Sequence, residues 1–359
     1  MPGKTFENHA LSAVFCGLAV VFALLLPAAG AFAQDSHDTD AINSYHWKIG
    51  TMAPNGVGYS NQIKRYVLPL IDLISEGEVH VKVYWGGLMG DDADIIRKMR
   101  FGHLNGAGLS GQGATILCPE MAVLELPFLF TDYDEVDYIE KVMHPVFSNY
   151  MEKSGVFLYT MLDQDFDQIY SVNSPLAKVS DFSKARFLTW YGPLEEELLK
   201  ALGCSPIPVS GTHIAPAIND KIADAAIAPA IFVVGSQLFT TIRYVNPVKI
   251  RYSPAVVVLR LDDWKALPER YHEVYEVMHE EVRQNIVNDI RRDNQRFLAA
   301  VTKYGVKETR MSPAEREKLR AAVVPLWQNM AGRLYPEELL TQVLAHLTEF
   351  REKKAGKQK

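Results

Sequence analysis

Ser110 lies in the stretch GLSGQG, residues 108–113, close to the Gly-x-Ser-x-Gly pattern that lifts a nucleophilic serine onto a sharp strand-to-helix turn. Gln112 stands where the second glycine belongs, so the tight turn loses the residue that permits it. His272 and His279 are seven residues apart, and the HEEV segment beginning at His279 lacks the second histidine, four residues on, that a helical zinc pair requires. No Gly-x-x-x-x-Gly-Lys-Ser/Thr phosphate loop occurs. Asp163, Asp165 and Asp167 fall at steps of two. On an extended backbone they share a face and form an acidic wall for a cation or a hydroxyl-rich ligand; in a loop they are helix caps and solvated carboxylates. These patterns point to no enzyme, no metal centre and no cofactor.

The elements that must position such residues begin with a leader. Lys4 precedes the apolar run LSAVFCGLAVVFALLLPAAGAFA, residues 11–33, which ends in Ala31-Phe32-Ala33. That layout predicts a secretory signal over residues 1–33, cleaved before Gln34. Pro27 and Gly30 break the run, which argues against a membrane anchor, and Cys16 sits mid-run where lipidation is not expected. The remaining length suits two domains. A net charge of −6 without basic runs argues against nucleic acid and anionic membrane surfaces as partners. Cys118 and Cys204 are expected to be buried free thiols.

Residues 46–51 read as a strand, broken by the turn cluster APNGVG. From Tyr59 a helix follows, with Ile63, Tyr66, Val67, Leu70, Ile71 and Ile74 in one apolar stripe. Val79, Val81, Val83 and Trp85 alternate with polar residues on a strand. Asp91 and Asp92 open a second helix that Arg97, Lys98 and Arg100 close, charges that suit the helix dipole. Strand and helix continue to alternate to about residue 250, the mark of an α/β protein. The apolar stretches 155–162 and 253–261 are candidates for strands that cross between lobes. Beyond Pro268, apolar residues at steps of four predict one helix to about Lys303, roughly 50 Å long, long enough to brace two lobes; a coiled-coil dimer helix is the rival reading. Ser312 and Pro313 cap a further helix.

The segments IGTMAPNG, GGLMGDDADIIRKMRFGHLNG, LELPFLFTDYDE and DFSKARF…ALGCSPIPV…APAINDKIADAA occur in that order. Together they resemble the extracytoplasmic solute-binding proteins of TRAP transporters, the DctP-type family, over nearly all of the mature chain. The resemblance implies an α/β fold of two lobes with a hinge and a long helix bracing both. Lobe 1 would comprise residues 34–164, completed by about 254–293, and lobe 2 residues 165–253, completed by about 294–359. It also implies a periplasmic receptor that captures a small molecule between the lobes and delivers it to a TRAP-type membrane permease. Presentation of the ligand to a sensor kinase is an alternative, and an enzyme on this scaffold a remoter one.

This chain departs from the family where the family grips a carboxylate. In DFSKARFL the arginine of the family's K-x-R-x-P falls on Leu188, and the preceding lysine on Arg186. The segment R-Q-x-x-S appears as DQIYS, with Asp167 in the arginine's place. The family's Glu-Asn pair is replaced by Ile227 and Ala228, its Phe-Ser-Glu turn by Gly211-Thr212-His213, and Ser110 stands where some members have glutamate. Losing an arginine removes a bidentate carboxylate partner, and Asp167 would repel an anion. The expected ligand is therefore not a simple carboxylate but a bulky apolar molecule, with a cation or polyol as the alternative. Trp190, Tyr191 and Tyr59 suit either, by stacking or cation–π contact. The candidate ligand-binding residues are Asn55, Tyr59, Ser110, Gln112, Asp165, Asp167, Leu188, Trp190, Gly211, Ile227 and Ala228.

Overall fold

The computed structural model describes residues 44–190 and 192–357. The expected leader over residues 1–33, with Cys16 and Ala31-Phe32-Ala33, lies outside the described residues, as do Gln34 and Tyr191.

The described strands are β1 (Tyr45–Thr51), β2 (Val79–Tyr84), β3 (Gly106–Ser110), β4 (Val156–Ser171), β5 (Leu188–Thr189), β6 (Ile207–Pro208), β7 (Ala225–Ala228), β8 (Tyr244–Arg260) and β9 (Lys307–Glu308). One sheet runs in the order β2-β1-β3-β8-β4-β7, with β9 against β8; β5 and β6 pair separately. The β2-β1-β3 end is parallel, as its helical crossovers require, and β8 enters antiparallel to β3. A single bridge, Phe187 to Ala225, ties the small sheet to β7.

β4 and β8 hold the two-lobed fold together. They pair antiparallel from Val156–Arg260 to Ser171–Tyr244, β8 meeting β3 at one end and β9 at the other. Both apolar crossing candidates are found in them, but each strand is longer than its apolar stretch. β4 continues through Asp163, Asp165 and Asp167, so their backbone is extended and not a loop. The ladder shifts register at three places, between Leu158 and Thr160, Asp163 and Asp165, and Asp167 and Ile169. Such bulges bend a strand and re-aim its side chains.

The helix expected after Pro268 spans Glu269–Lys303, 35 residues, with Pro268 at its N-cap. At 1.5 Å per residue it is about 50 Å long, and it packs along β4. Tyr275 Oη donates to the Tyr159 carbonyl at 2.7 Å, Arg283 Nε to the Met161 carbonyl at 3.1 Å, and Asn294 Nδ2 to the Gln164 carbonyl at 2.7 Å. Val301, near its end, joins the separate core of Tyr170, Leu188 and Val245. Asp91 and Ser312 cap their helices as expected, accepting from the backbone N–H of Asp94 at 3.0 Å and of Glu315 at 3.2 Å. Cys118 and Cys204 are free and buried, and burial raises both thiol pKa values, that of Cys204 to about 11.

The helix over residues 59–74 carries an irregularity that its apolar period does not announce. Tyr59–Gln62 and Leu68–Ile74 are α-helical, and Ile63–Val67 between them is a wider π turn. Pro69 explains it: proline has no N–H for the Arg65 carbonyl and its ring crowds that carbonyl, so the turn before it widens. The stripe Ile63, Val67, Leu70, Ile71 and Ile74 is only half-buried.

The long helix is fastened to β4 by charge as well as by packing. Arg291 Nε donates to Asp163 Oδ2 at 2.5 Å, and its other nitrogens hold Asp137 at 2.6 and 2.8 Å. Asp163 has no exposed surface. Arg291→Ala leaves that carboxylate without its cation and is expected to cost about 3–5 kcal/mol, read as a lowered urea midpoint at unchanged m-value. A loss below about 1 kcal/mol would mean that the pair behaves as a surface bridge.

Candidate functional site

Alternation on β1 and β2 presents Trp47, Ile49, Thr51, Val81 and Val83 on one sheet face, and β8 adds Ala255, Val257 and Leu259. The helix over residues 59–74 covers this face without closing on it. Between them lies a cavity of about 190 Å³, which reaches Met52, Pro54, Trp85 and Ser110 and, across the cleft, Trp190, Ile231 and Phe232. Its described lining contains no lysine, arginine, histidine, aspartate or glutamate. Its polar groups are Thr51, Ser110, Gln164 and the Tyr59 and Tyr159 hydroxyls, with Trp190 giving an indole N–H to the Ile227 carbonyl at 3.4 Å.

Glycines let the two sides approach. Gly58 has φ +54°, and a Cβ there would sit 2.5 Å from Ile231 Cδ1. A Cβ on Gly211 would meet Met52 Cε at 2.7 Å. The room left by the missing side chain at 211 is thus taken by Met52, beside Trp190. Trp190 itself packs on Phe232 with ring centroids 4.9 Å apart.

Next to the cavity, and outside it, lies a buried ionic cluster. Arg251 of β8 stands opposite Asp167 of β4, its Nε 2.6 Å from Oδ2, and its Nη2 is 3.0 Å from Glu195 Oε1. All three side chains have no exposed surface. Ser253 Oγ donates to Asp167 at 2.9 Å, while Glu195 accepts from Thr189 Oγ1 at 3.0 Å and from the Trp190 N–H at 2.9 Å. Burial pushes Asp167 up to about 6 against the pull of Arg251. Glu125, hydrogen-bonded by Thr115 at 3.0 Å, is pushed by burial to about 8 although Arg251 draws it down.

The structure brings three of the expected ligand residues to the cavity: Tyr59, Ser110 and Trp190. Ser110 has a structural task as well. Its hydroxyl donates to the buried Asp92 and accepts from the Gly113 N–H, and none of its described partners is a histidine. Gln112 is half-buried and Asn55 exposed beside Lys64; neither lines the cavity. Leu188, Ile227 and Ala228 are packed into cores, with at most 1% of their surface exposed, because β5 and β7 are covered on both faces. The apolar room lies instead between the β1, β2 and β8 face and the helix over residues 59–74. Asp163, Asp165 and Asp167 do not form an open acidic wall: each is buried and held, Asp163 by Arg291 and Tyr252, Asp165 by Tyr133, and Asp167 by Arg251 and Ser253. Arg186 pairs with Asp224 at 3.2 Å on the surface.

Several lining residues escaped the sequence reading, Tyr159 and Gln164 among them. Both fall at the register shifts of β4, and a bulge cannot be read from period-two alternation. Trp47, Ile49 and the valines of β2 were legible as an apolar face, but not as one that lines a cavity.

Residues 63–333 match the family described as bacterial extracellular solute-binding protein, family 7. The C4-dicarboxylate-binding periplasmic protein DctP of Rhodobacter capsulatus is 19% identical over 273 residues, 75% of this chain and 82% of that protein. The 2,3-diketo-L-gulonate-binding periplasmic protein YiaO of Escherichia coli K12 is 19% identical over 240 residues, 66% of this chain and 73% of that protein. Among solved structures, the sugar acid binding protein DctPAm of Advenella mimigardefordensis in complex with galactonate superimposes with a TM-score of 0.80 at 19% identity, covering 86% of this chain and 99% of that one.

The buried acids set a pH dependence. Glu125 titrates near 8 in the folded chain, well above its ordinary 4.5, and Asp165 is likewise raised, to about 7. The folded state therefore holds protons that the unfolded chain sheds above its ordinary carboxylate pKa. This contribution to stability is complete below about pH 4.5 and fades as pH rises through the folded values. The thermal midpoint is expected to fall from pH 5.5 to pH 8.5, and Glu125→Gln to flatten that slope. A midpoint that rises with pH, or an unchanged slope in the variant, would contradict the assignment.

Proposed function

The chain belongs to family 7 of the bacterial extracellular solute-binding proteins, periplasmic receptors of the TRAP class and not enzymes, and from that premise we propose what it captures. The ligand is a small uncharged molecule with a bulky apolar body, enclosed between the lobes and handed to a TRAP-type permease in the membrane. Residues 1–33 are the leader that exports the receptor. The lobes divide at residues 34–164 with about 254–293, and 165–253 with about 294–359.

One observation carries this reading: the described wall of the cavity bears no charged side chain of either sign. A carboxylate enclosed there would lose its water without gaining a cation, at a cost of several kcal/mol. The nearby guanidinium of Arg251 is engaged by the chain's own Asp167 and Glu195. An ammonium ligand meets the same obstacle in reverse, because the aspartates of β4 are turned to internal partners. This weighs against the cationic alternative. Tyr59, Trp85, Trp190 and Phe232 supply aromatic surface, Gln164 brings a side-chain amide to the wall, and Ser110, whose own proton goes to Asp92, can still accept one hydrogen bond from a ligand hydroxyl.

The proposal is tested by mass spectrometry of the small molecule that accompanies the receptor from its native host, with calorimetric titration of succinate and galactonate alongside. A neutral, largely hydrocarbon molecule and no micromolar heat from either acid are the expected results. Micromolar binding of either acid would sink the proposal and direct attention to Arg251. Trp190→Ala is expected to weaken binding of the co-purified molecule at least tenfold and, because Trp190 is a buried core residue, to cost about 3–5 kcal/mol of stability as well, so binding is measured well below the variant's lowered thermal midpoint.

A further inference from the structure

We propose that the space beneath the helix over residues 59–74 is a second compartment of the ligand site, built to take a hydrocarbon chain attached to the molecule held in the cleft. The inference rests on the reading above and adds the shape of the ligand. A second cavity, of about 110 Å³, adjoins the first: Ile63, Val67 and Ile71 of the helix, with Tyr159 and Leu162 of β4, line both. Beyond that shared wall it is bounded by Leu70 and Ile74 and, from the long helix, by Val274, Met278, Val282 and Ile286.

Three features point to a chain in particular. Ile63, Val67, Ile71 and Ile74 follow one another along the helix, so the two cavities together track about 16 Å of its axis, a length that exceeds the gap between one helix and one sheet. The polar groups at the far end are already engaged, His279 with the Tyr275 carbonyl at 3.0 Å and Arg283 with Glu140 at 2.5 Å, so nothing there asks for a polar terminus. The half-burial of the stripe also finds its reason here. A helix with so regular an apolar face normally closes on its sheet, whereas the π turn before Pro69 and the bulge that projects Tyr159 hold this one away. Apolar cavities of this order stay dry and accept hydrocarbon.

The test uses the mature receptor and the neutral alcohols 1-butanol, 1-hexanol, 1-octanol and 1-decanol, titrated by calorimetry. Affinity is expected to rise about fourfold for each added methylene through 1-decanol. Met278 lies only in the second compartment; Met278→Trp should leave 1-butanol unchanged and weaken 1-decanol at least tenfold. Val274→Phe, one helical turn away, provides a second obstruction, and circular dichroism melts verify that both variants fold. If 1-butanol binds but longer alcohols bind no tighter, or if both obstructed variants bind 1-decanol like the parent, the chain compartment is refuted and the apolar cleft stands. If no alcohol binds at all, both fall. Should neither variant fold, the length series on the parent decides alone.

Discussion

A guanidinium without exposed surface must be neutralised where it stands, and that requirement organises the middle of this molecule. Arg251 sits on β8, opposite Asp167 on β4, where the two strands run from one lobe to the other. Its second carboxylate, Glu195, belongs to the helix Pro193–Ala201 and at the same time takes hydrogen bonds from Thr189 and the Trp190 amide. One cation therefore fixes the crossing strands, the start of a helix and the aromatic residue that walls the cavity. Removing one member would strand the others out of water, where an unpaired charge is far costlier than a missing contact. The apolar cavity and the buried ions lie side by side: Arg251, Asp167 and Glu195 engage one another, and the described cavity wall carries no charge.

Much of this architecture was legible in the chain. The helix Glu269–Lys303 follows from its four-residue apolar rhythm, the cap at Asp91 from paired acids, and the α/β class from alternating periods. The acidic half of β4 was ambiguous for a physical reason. A strand carrying Asp163, Asp165 and Asp167 can be buried only if arginines and tyrosines from distant segments meet it, and nothing local reveals Arg251, Arg291 or Tyr133. The candidate site divided along the same line. Tyr59, Ser110 and Trp190 reach the cavity, whereas Leu188, Ile227 and Ala228 belong to strands covered on both faces, which substitution at a motif position does not disclose. Pro69 carried a signal, a proline inside an apolar helix, whose consequence for the packing of residues 59–74 emerges only in three dimensions.

The chain shares about a fifth of its aligned residues with proteins that bind galactonate, C4-dicarboxylates or 2,3-diketo-L-gulonate, and it keeps the fold of the galactonate complex. Identity at that level preserves the sheet order and the interlobe crossing while leaving the few side chains that read the ligand free to differ. The cavity wall, rather than the scaffold, is where this receptor has to be understood.

The register shifts of β4 lead further. Crossing strands that pass unbroken between lobes cannot swing about a slack loop; any change in the angle between lobes has to flex a hydrogen-bonded ribbon. Flexure concentrates where the ribbon is already interrupted, and two of those interruptions project Tyr159 and Gln164 toward the cavity. The joint and the walls of the chamber are thus partly the same residues. A ligand that touched Tyr159 or Gln164 would therefore bear directly on the fulcrum, with no relay through the body of either lobe.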